Sequence, residues 1–217
     1  MNPDLLNFKA LLPKTFKVLN VLAKLPFLQE YTFVGGSALA LYLNHRKSED
    51  IDLFTWHDSL NKQVIFETIT QNFTSPKLIN DTLKQQDWIL DEVKVTFFAN
   101  NWTGLQQRIG ANLGFLSVAT LPLLCAMKVN TLFLRAKFRD YYDLYSLSIN
   151  GVSIDKLYEY SQNLIPSLNP KLFQMALIFT DDIMEDSISY LNPKYKTNKK
   201  KIATYFEKEV SKWLSST

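Results

Sequence analysis

The segment FVGGSALALYLNHRKSEDIDLF, residues 33–54, constrains the fold more than any other part of the sequence. Its apolar start predicts a strand that breaks at two glycines, and Ser37 begins a short helix. A second strand then carries Asp50 and Asp52. A strand, a glycine turn, one short helix and an acidic strand follow each other directly, which predicts a structure that mixes helices with a sheet.

The turn at Gly35, Gly36 and Ser37 has the chemistry of a phosphate cradle. Glycine lets the backbone approach an anion closely, and the first N–H groups of the helix point back over the turn. A plain strand-to-helix turn is the alternative, because glycine pairs occur in many folds. The segment lacks the lysine of a Walker loop and the third glycine of a dinucleotide fingerprint, so it fits neither of those motifs.

Asp50 and Asp52 flank Ile51, and this spacing on a strand places both carboxylates on one face. Two like charges on one face repel each other unless a cation lies between them. Mg²⁺ is commonly held by one or two carboxylates, with substrate phosphate oxygens completing its shell. The pair therefore predicts a site for Mg²⁺ or Mn²⁺.

The residues GGSALALYLNHRKSEDIDLF resemble the first motif of the AbiEii/AbiGii toxin family of nucleotidyltransferases, within the DNA polymerase beta-like superfamily. The resemblance implies that Gly36 and Ser37 contact the triphosphate of a nucleoside triphosphate (NTP). It also implies that Asp50 and Asp52 bind the metal ion. These four residues are the core of the predicted active site.

His45 and Arg46 also match the pattern of this family. The resemblance implies that Arg46 reaches the triphosphate. A surface cation paired with Glu49 is the alternative interpretation of the same arginine.

A second segment, LLCAMKVNTLFLRAKFRDYYDLYSL, has the apolar spacing of a helix. Thr120 and Pro122 open this pattern, and Asn150 and Gly151 end it, so one long helix is predicted. Its tyrosines are predicted to pack in the core.

The second segment also resembles the family, whose members carry a lysine on a helix followed by an arginine and an Arg-Asp-aromatic-aromatic-Asp run. On the predicted helix Lys128 shares a face with Arg135, and Asp140 shares another face with Asp143. The resemblance implies that Lys128 binds the nucleotide phosphates and that Asp140 or Asp143 completes the catalytic centre. The alternative is structural, with Arg135 or Arg139 pairing with Asp143.

One position departs from the superfamily. Two-metal transferases of this kind usually add a third carboxylate on a nearby strand, which here is EVKVTFF. Lys94 and Thr96 occupy the expected places, and the acidic residue is Glu92, at the edge of the strand. The second metal ion is therefore in question, and Lys94 is a candidate for neutralising phosphate.

The predicted fold class is α+β. We expect a nucleotidyltransferase-fold domain with a mixed sheet flanked by helices over residues 1–116. We expect a helical domain over residues 117–217, which contributes Lys128, Asp140 and Asp143 to the active cleft. The resemblance extends from Phe33 to about Leu147, and the last part of the chain is matched only in being helical.

Composition adds weak constraints. With 24 basic and 21 acidic side chains, the sequence permits a nucleic-acid partner without requiring one. The single cysteine, Cys125, fits a reducing compartment, and no secretory signal or membrane span is recognised. We therefore expect a cytoplasmic protein with no membrane partner.

The resemblance implies a metal-dependent transfer of a nucleoside monophosphate from an NTP to an acceptor hydroxyl. The family suggests an RNA acceptor such as tRNA, a toxin role in toxin–antitoxin or phage defence, and a cognate antitoxin as partner. Transfer to a small molecule, such as an aminoglycoside, is one alternative. A catalytically inactive fold kept as a binding module is the other.

Overall fold

The computed structural model describes residues 6–216, except for the side chains of residues 111–113 and 216. The chain forms two compact units, which we call the sheet unit, ending at Leu121, and the helical unit, beginning at Pro122. The sheet unit contains every strand of the described residues, together with three α-helices, and the helical unit is built from helices. The predicted α+β class is confirmed.

A mixed sheet forms the centre of the sheet unit. Its strands are β1 Thr32–Val34, β2 Ile51–Thr55, β3 Lys77–Asp81, β4 Gln85–Leu90, β5 Val93–Ala99, β6 Arg108–Leu113 and β7 Leu116–Ala119. Their order across the sheet is β3-β4-β5-β2-β1-β7-β6. The strand β2 pairs in parallel with β5 and antiparallel with β1, so the acidic strand lies near the middle of the sheet.

The last strand, β7, lies at the predicted domain boundary between residues 116 and 117. It pairs in parallel with β1, with Phe33 opposite Val118. This pairing makes β7 part of the sheet unit, whose compact contacts continue to Leu121.

The helices of the sheet unit are α1 Pro13–Leu22, α2 Gly35–Leu43 and α3 Lys62–Asn72. Along β5, Val93, Val95 and Phe97 are buried on one face, and Lys94 is exposed on the other. On the buried face, the ring of Phe66 in α3 lies 5.9 Å from that of Trp88 in β4. One face of the sheet is therefore the apolar core, and polar side chains of β2, β4 and β5 lie on the other.

The helical unit contains α4 Leu121–Leu134, α5 Phe138–Ile149, α6 Ile154–Gln162, α7 Pro170–Ile178 and α8 Lys199–Ser216, of which α4 begins at the last residue of the sheet unit. Among the described residues, no helix has both the length and the apolar character that a membrane span requires.

The prediction of one long helix from Thr120 to Asn150 is wrong, because the chain breaks between α4 and α5. Ala136 adopts a left-handed backbone conformation with φ of 40°. Its carbonyl accepts a hydrogen bond of 2.8 Å from the backbone of Met184, whose own carbonyl accepts one of 2.9 Å from Phe138. Arg135 therefore lies beyond the end of α4 and does not share a helix face with Lys128.

Candidate active site

The glycine turn and the acidic strand are neighbours. The strand β1 leads into the turn and pairs with β2, so that Val34 stands opposite Asp52. Ile51 and Leu53 are fully buried, whereas Asp50 and Asp52 are half-buried. This alternation places the Asp52 carboxylate on the face of the sheet opposite the apolar core. Asp50 directly precedes β2, and the same alternation extended by one residue predicts it on that face.

Gly35 lies directly against the carboxylate of Asp52. Its φ is +77°, and a Cβ atom at this position would lie 2.2 Å from Oδ2 of Asp52. Gly35 is also the first residue of α2. The N-cap residue of this helix is Val34, whose side chain makes no capping hydrogen bond. The backbone at the start of α2 and the Asp52 carboxylate are therefore brought together by the absence of a side chain.

Gly35→Ala is expected to damage both folding and activity. The left-handed backbone alone costs an alanine about 1–2 kcal/mol, and the new methyl group displaces the Asp52 carboxylate. A shift of about 1 Å in a catalytic group lowers the rate about a hundredfold. Urea unfolding and nucleotide incorporation measure the two effects.

Gly151→Ala is the matched control for this variant. Gly151 also has a positive φ, of +99°, but a Cβ there meets no atom within 4 Å. We expect it to lose stability without losing activity. Equal activity of the two variants would show that the contact of Gly35 with Asp52 does not matter for the reaction.

The Ser37 hydroxyl holds the loop that carries Asp50. Ser37 is 2% exposed, and its hydroxyl donates to the backbone oxygen of Asp50 and lies 2.8 Å from the Ser48 hydroxyl oxygen. Arg46 is 3% exposed, so it is not the surface cation considered as an alternative. Its guanidinium donates to the backbone oxygen of Lys47 at 3.0 Å. Both side chains help to shape the loop before β2.

The donor set of the paired aspartates suits one divalent ion. Asp52 pairs in register with Thr96 of β5, so a hydroxyl stands where a third carboxylate was expected. Across the described residues, no three acidic, histidine or cysteine side chains form a cluster that could hold a metal ion. Two carboxylates together with phosphate oxygens and water complete an Mg²⁺ shell, so the residues present fit one Mg²⁺.

Sequence reasoning missed Asp87, which lies opposite Thr96 on the next strand, β4. It is 6% exposed, and its carboxylate accepts a hydrogen bond of 2.7 Å from the Thr96 hydroxyl. Gln85 donates to it at 2.9 Å, and the Lys94 ammonium lies 3.8 Å away. An isolated aspartate in a strand belongs to no motif, and only the register of β4 and β5 brings it to the acidic face.

The predicted residues of the second segment meet inside the helical unit. The Lys128 ammonium lies 2.7 Å from Asp140 and 2.8 Å from Asp143, and all three side chains are buried. Arg135 also donates to Asp140, at 2.8 Å. Burial opposes the charged form of Asp140, but the charges of Lys128 and Arg135 outweigh it and lower the pKa of this carboxyl below its usual value.

Arg139 points elsewhere and binds Asp186 at 2.6 Å, in a pair whose side chains are each 21% exposed. Tyr141 and Tyr142 are buried, as predicted, and the Tyr141 hydroxyl donates to the backbone oxygen of Leu177 at 2.6 Å. These residues hold α5 within the helical unit.

The described residues thus place a glycine turn after β1 next to the acidic strand β2 of a mixed sheet, the arrangement that the family resemblance predicts. The comparison with known families agrees, because residues 17–108 match the profile of the AbiEii family, described as the nucleotidyl transferase AbiEii toxin of type IV toxin–antitoxin systems. This match confirms the family resemblance predicted from the first motif. Over these residues, which are less than half of the chain, the protein is similar to the nucleotidyltransferases of this family. The second segment lies outside the matched residues.

Three proteins that resemble nearly the whole chain differ from it strongly in sequence. An uncharacterised protein of Aquifex aeolicus is 20% identical over 202 residues, which cover 92% of this chain and 96% of that protein. The solved structure of MenT4, a nucleotidyltransferase toxin of Mycobacterium tuberculosis, is similar with a TM-score of 0.59 and 14% identity, over 92% of this chain and 86% of that one. A putative nucleotidyltransferase of Helicobacter pylori has a TM-score of 0.55 and 15% identity, over 97% of this chain and 95% of that one. These two structures support the fold.

Proposed function

We propose that this protein is a metal-dependent nucleotidyltransferase that transfers a nucleoside monophosphate from an NTP to a hydroxyl of an RNA acceptor, as the toxin of a toxin–antitoxin pair. The observation that carries the proposal is the contact of the Asp52 carboxylate with the glycine that begins α2. It supports the proposal because it brings a carboxylate that could bind a metal ion next to a helix N-terminus that could bind phosphate.

Each part of the site has a defined task in this reaction. Asp50 and Asp52 hold Mg²⁺, which when bound supplies positive charge to the triphosphate oxygens. The backbone N–H groups at Gly36 and Ser37 bind outer phosphate oxygens. The Ser37 hydroxyl positions Asp50 through its backbone oxygen. The acceptor oxygen bonds to the α-phosphorus as the bond to pyrophosphate breaks, and the hydroxyl proton passes to solvent.

The role of Lys128, Asp140 and Asp143 in binding the triphosphate stays a prediction from the family resemblance. Their mutual contacts support a further role as a buried ion cluster that holds α4 to α5. The two roles are compatible, because the aspartates that hold the Lys128 ammonium also fix the orientation of its remaining N–H groups, which could then donate to phosphate.

The acceptor and partner follow from the family description and are part of the proposal. A toxin of a type IV system acts beside a cognate antitoxin, and an RNA acceptor such as tRNA gives the transfer a toxic outcome. The slight excess of basic side chains, a net charge of +3, is compatible with an RNA partner. We place the reaction in the cytoplasm, where NTPs and tRNA are both available.

Incubation of the protein with each labelled NTP, Mg²⁺ and total RNA tests the acceptor. We expect label in RNA of tRNA size, and none in a panel of hydroxylated small molecules that includes aminoglycosides. The same reactions without Mg²⁺ are the control. Label in a small molecule but not in RNA would show that the acceptor is a small molecule. Absence of label from both, with every NTP, would refute the transferase proposal.

A further inference from the structure

The position of the missing third carboxylate is filled by a group of three residues, which we call the β4–β5 trio: Asp87, Lys94 and Thr96. Thr96 stands opposite Asp52 in the parallel pairing of β2 with β5. Lys94 lies two residues earlier on β5 and therefore on the same face. Asp87 stands opposite Thr96 on β4. The trio therefore borders the paired aspartates directly.

Asp87 fixes the other two members. The Thr96 hydroxyl donates its proton to Oδ1 of Asp87 at 2.7 Å, and the Lys94 ammonium lies 3.8 Å from Oδ2. Gln85 and Asn80 donate to the same carboxylate at 2.9 and 3.2 Å. A carboxylate that is 6% exposed and holds this many donors stays charged at neutral pH.

Lys94 is the most exposed member of the trio. Its side chain is 43% exposed, whereas that of Asp87 is 8% exposed. The long stem of a lysine lets its ammonium turn toward a second acceptor while it stays near the first, and at 3.8 Å the contact with Asp87 is longer than a hydrogen bond. The ammonium therefore lies near Asp87 on the acidic face of the sheet, and its exposure leaves it accessible to an arriving phosphate.

The charges of the trio disfavour a second divalent ion. A second ion in this superfamily needs a third carboxylate, and here the corresponding side chain is a neutral hydroxyl whose proton is bound to Asp87. The neighbouring ammonium of Lys94 repels any cation placed there. Within residues 6–216, no third acidic side chain joins the pair in a metal-binding cluster.

We propose that this site takes one divalent cation per nucleotide, and that Lys94, tethered by Asp87, supplies at the α-phosphate the positive charge that a second ion would supply. The inference rests on the proposed function of the aspartate pair. Lys94 is then a catalytic residue that touches substrate, and Asp87 is a positioning residue that acts through Lys94.

Counting bound ions tests the proposal without relying on activity. The probe is Mn²⁺, which is titrated into a mixture of the protein and a non-hydrolysable α,β-methylene NTP, with the protein in excess over the analogue. Analogues with each of the four bases are tried. Electron paramagnetic resonance measures the Mn²⁺ that remains unbound. We expect one bound Mn²⁺ per bound analogue. Two ions per analogue would overturn this inference alone, whereas no Mn²⁺-dependent binding of any analogue would refute the proposed function itself.

Lys94→Gln is expected to leave the count at one ion and to weaken binding of the analogue about tenfold, because a charge-assisted contact is lost. Lys84→Gln, an exposed lysine in the turn before β4, is the matched control and should bind as the wild type does. Unchanged affinity of Lys94→Gln would overturn the role of Lys94.

The Asp87→Asn variant tests whether Asp87 acts by positioning Lys94 or only stabilises the sheet. We expect it to weaken analogue binding in the wild type but to have no further effect in the Lys94→Gln background, because the tether has nothing left to hold. Additive losses in the double variant would show that Asp87 does not act through Lys94.

The reverse design converts the trio to the arrangement of a two-metal site. Thr96→Asp introduces the third carboxylate. Asp87→Asn replaces a carboxylate that would repel this new one with an amide that can donate to it. Lys94→Gln removes the ammonium. We expect the folded triple variant to bind two Mn²⁺ per analogue. A folded variant that still binds one ion would show that the trio does not set the number. If the triple variant fails to fold, the number of Mn²⁺ ions bound per analogue by the wild type and by Lys94→Gln tests the proposal.

Discussion

Asp52→Asn is expected to remain folded and to incorporate about a thousandfold less nucleotide than the wild type, because a bound metal ion contributes several kcal/mol of charge stabilisation in the transition state. The carboxylate is half-buried beside Gly35, two residues after Asp50 in the sequence. Replacing it with an amide keeps the shape of the side chain and removes one of the two charges that attract the ion. It also relieves the repulsion between the two aspartates, and we therefore expect the fold to be retained.

Circular dichroism, urea unfolding and label incorporation together measure this outcome. Asp58→Asn makes the same chemical change at an exposed residue shortly after β2, and we expect it to retain full activity. Undiminished incorporation by Asp52→Asn would remove the metal site from the mechanism. Loss of the folded signal in the same variant would assign Asp52 a structural task instead.

The strand, turn and strand of the first motif could be predicted because their signals are local. Apolar residues at Phe33 and Val34, the glycine pair, and the alternation around Ile51 each specify a backbone state over a few residues. The pairing of β1 with β2 then follows from their proximity in sequence. For this reason the contact between the glycine turn and Asp52 was within reach of sequence reasoning.

The break between α4 and α5 could not be predicted, because distant residues determine it. The apolar spacing of a helix runs without interruption through Arg135 to Phe138, and nothing local favours the left-handed conformation of Ala136. Two backbone hydrogen bonds to Met184 hold the chain there. Tertiary contacts override helix propensity at this point.

Asp87 escaped prediction for a similar reason. Its importance depends on the register in which β4 pairs with β5, and a shift of one residue would turn it to the apolar core. The sequence singled out Lys94 and Thr96 as departures from a pattern, but did not indicate that a buried aspartate holds both. The sequence alone does not show which residues of β4 and β5 stand opposite each other.

Asp140→Asn is expected to destabilise the helical unit by about 3 kcal/mol, because removing one partner of a buried ion pair leaves the other charge uncompensated. Asp140 is fully buried and is contacted by Lys128 at 2.7 Å and by Arg135 at 2.8 Å. Asp186→Asn makes the same change in the Arg139 pair, which is 21% exposed on each side. We expect it to cost about 1 kcal/mol, the value of a pair near the surface.

The effect of Asp140→Asn is also expected to depend on pH with a defined sign. The pKa of Asp140 lies below its ordinary value of 3.8, so its contribution to stability is complete above about pH 5 and is lost as the pH falls through the lowered pKa. The difference in unfolding free energy between wild type and Asp140→Asn should therefore narrow in acid. Urea unfolding at a series of pH values measures it. A gap that is constant with pH, or no larger than that of Asp186→Asn, would contradict the assignment of Asp140 as the charged centre of the cluster.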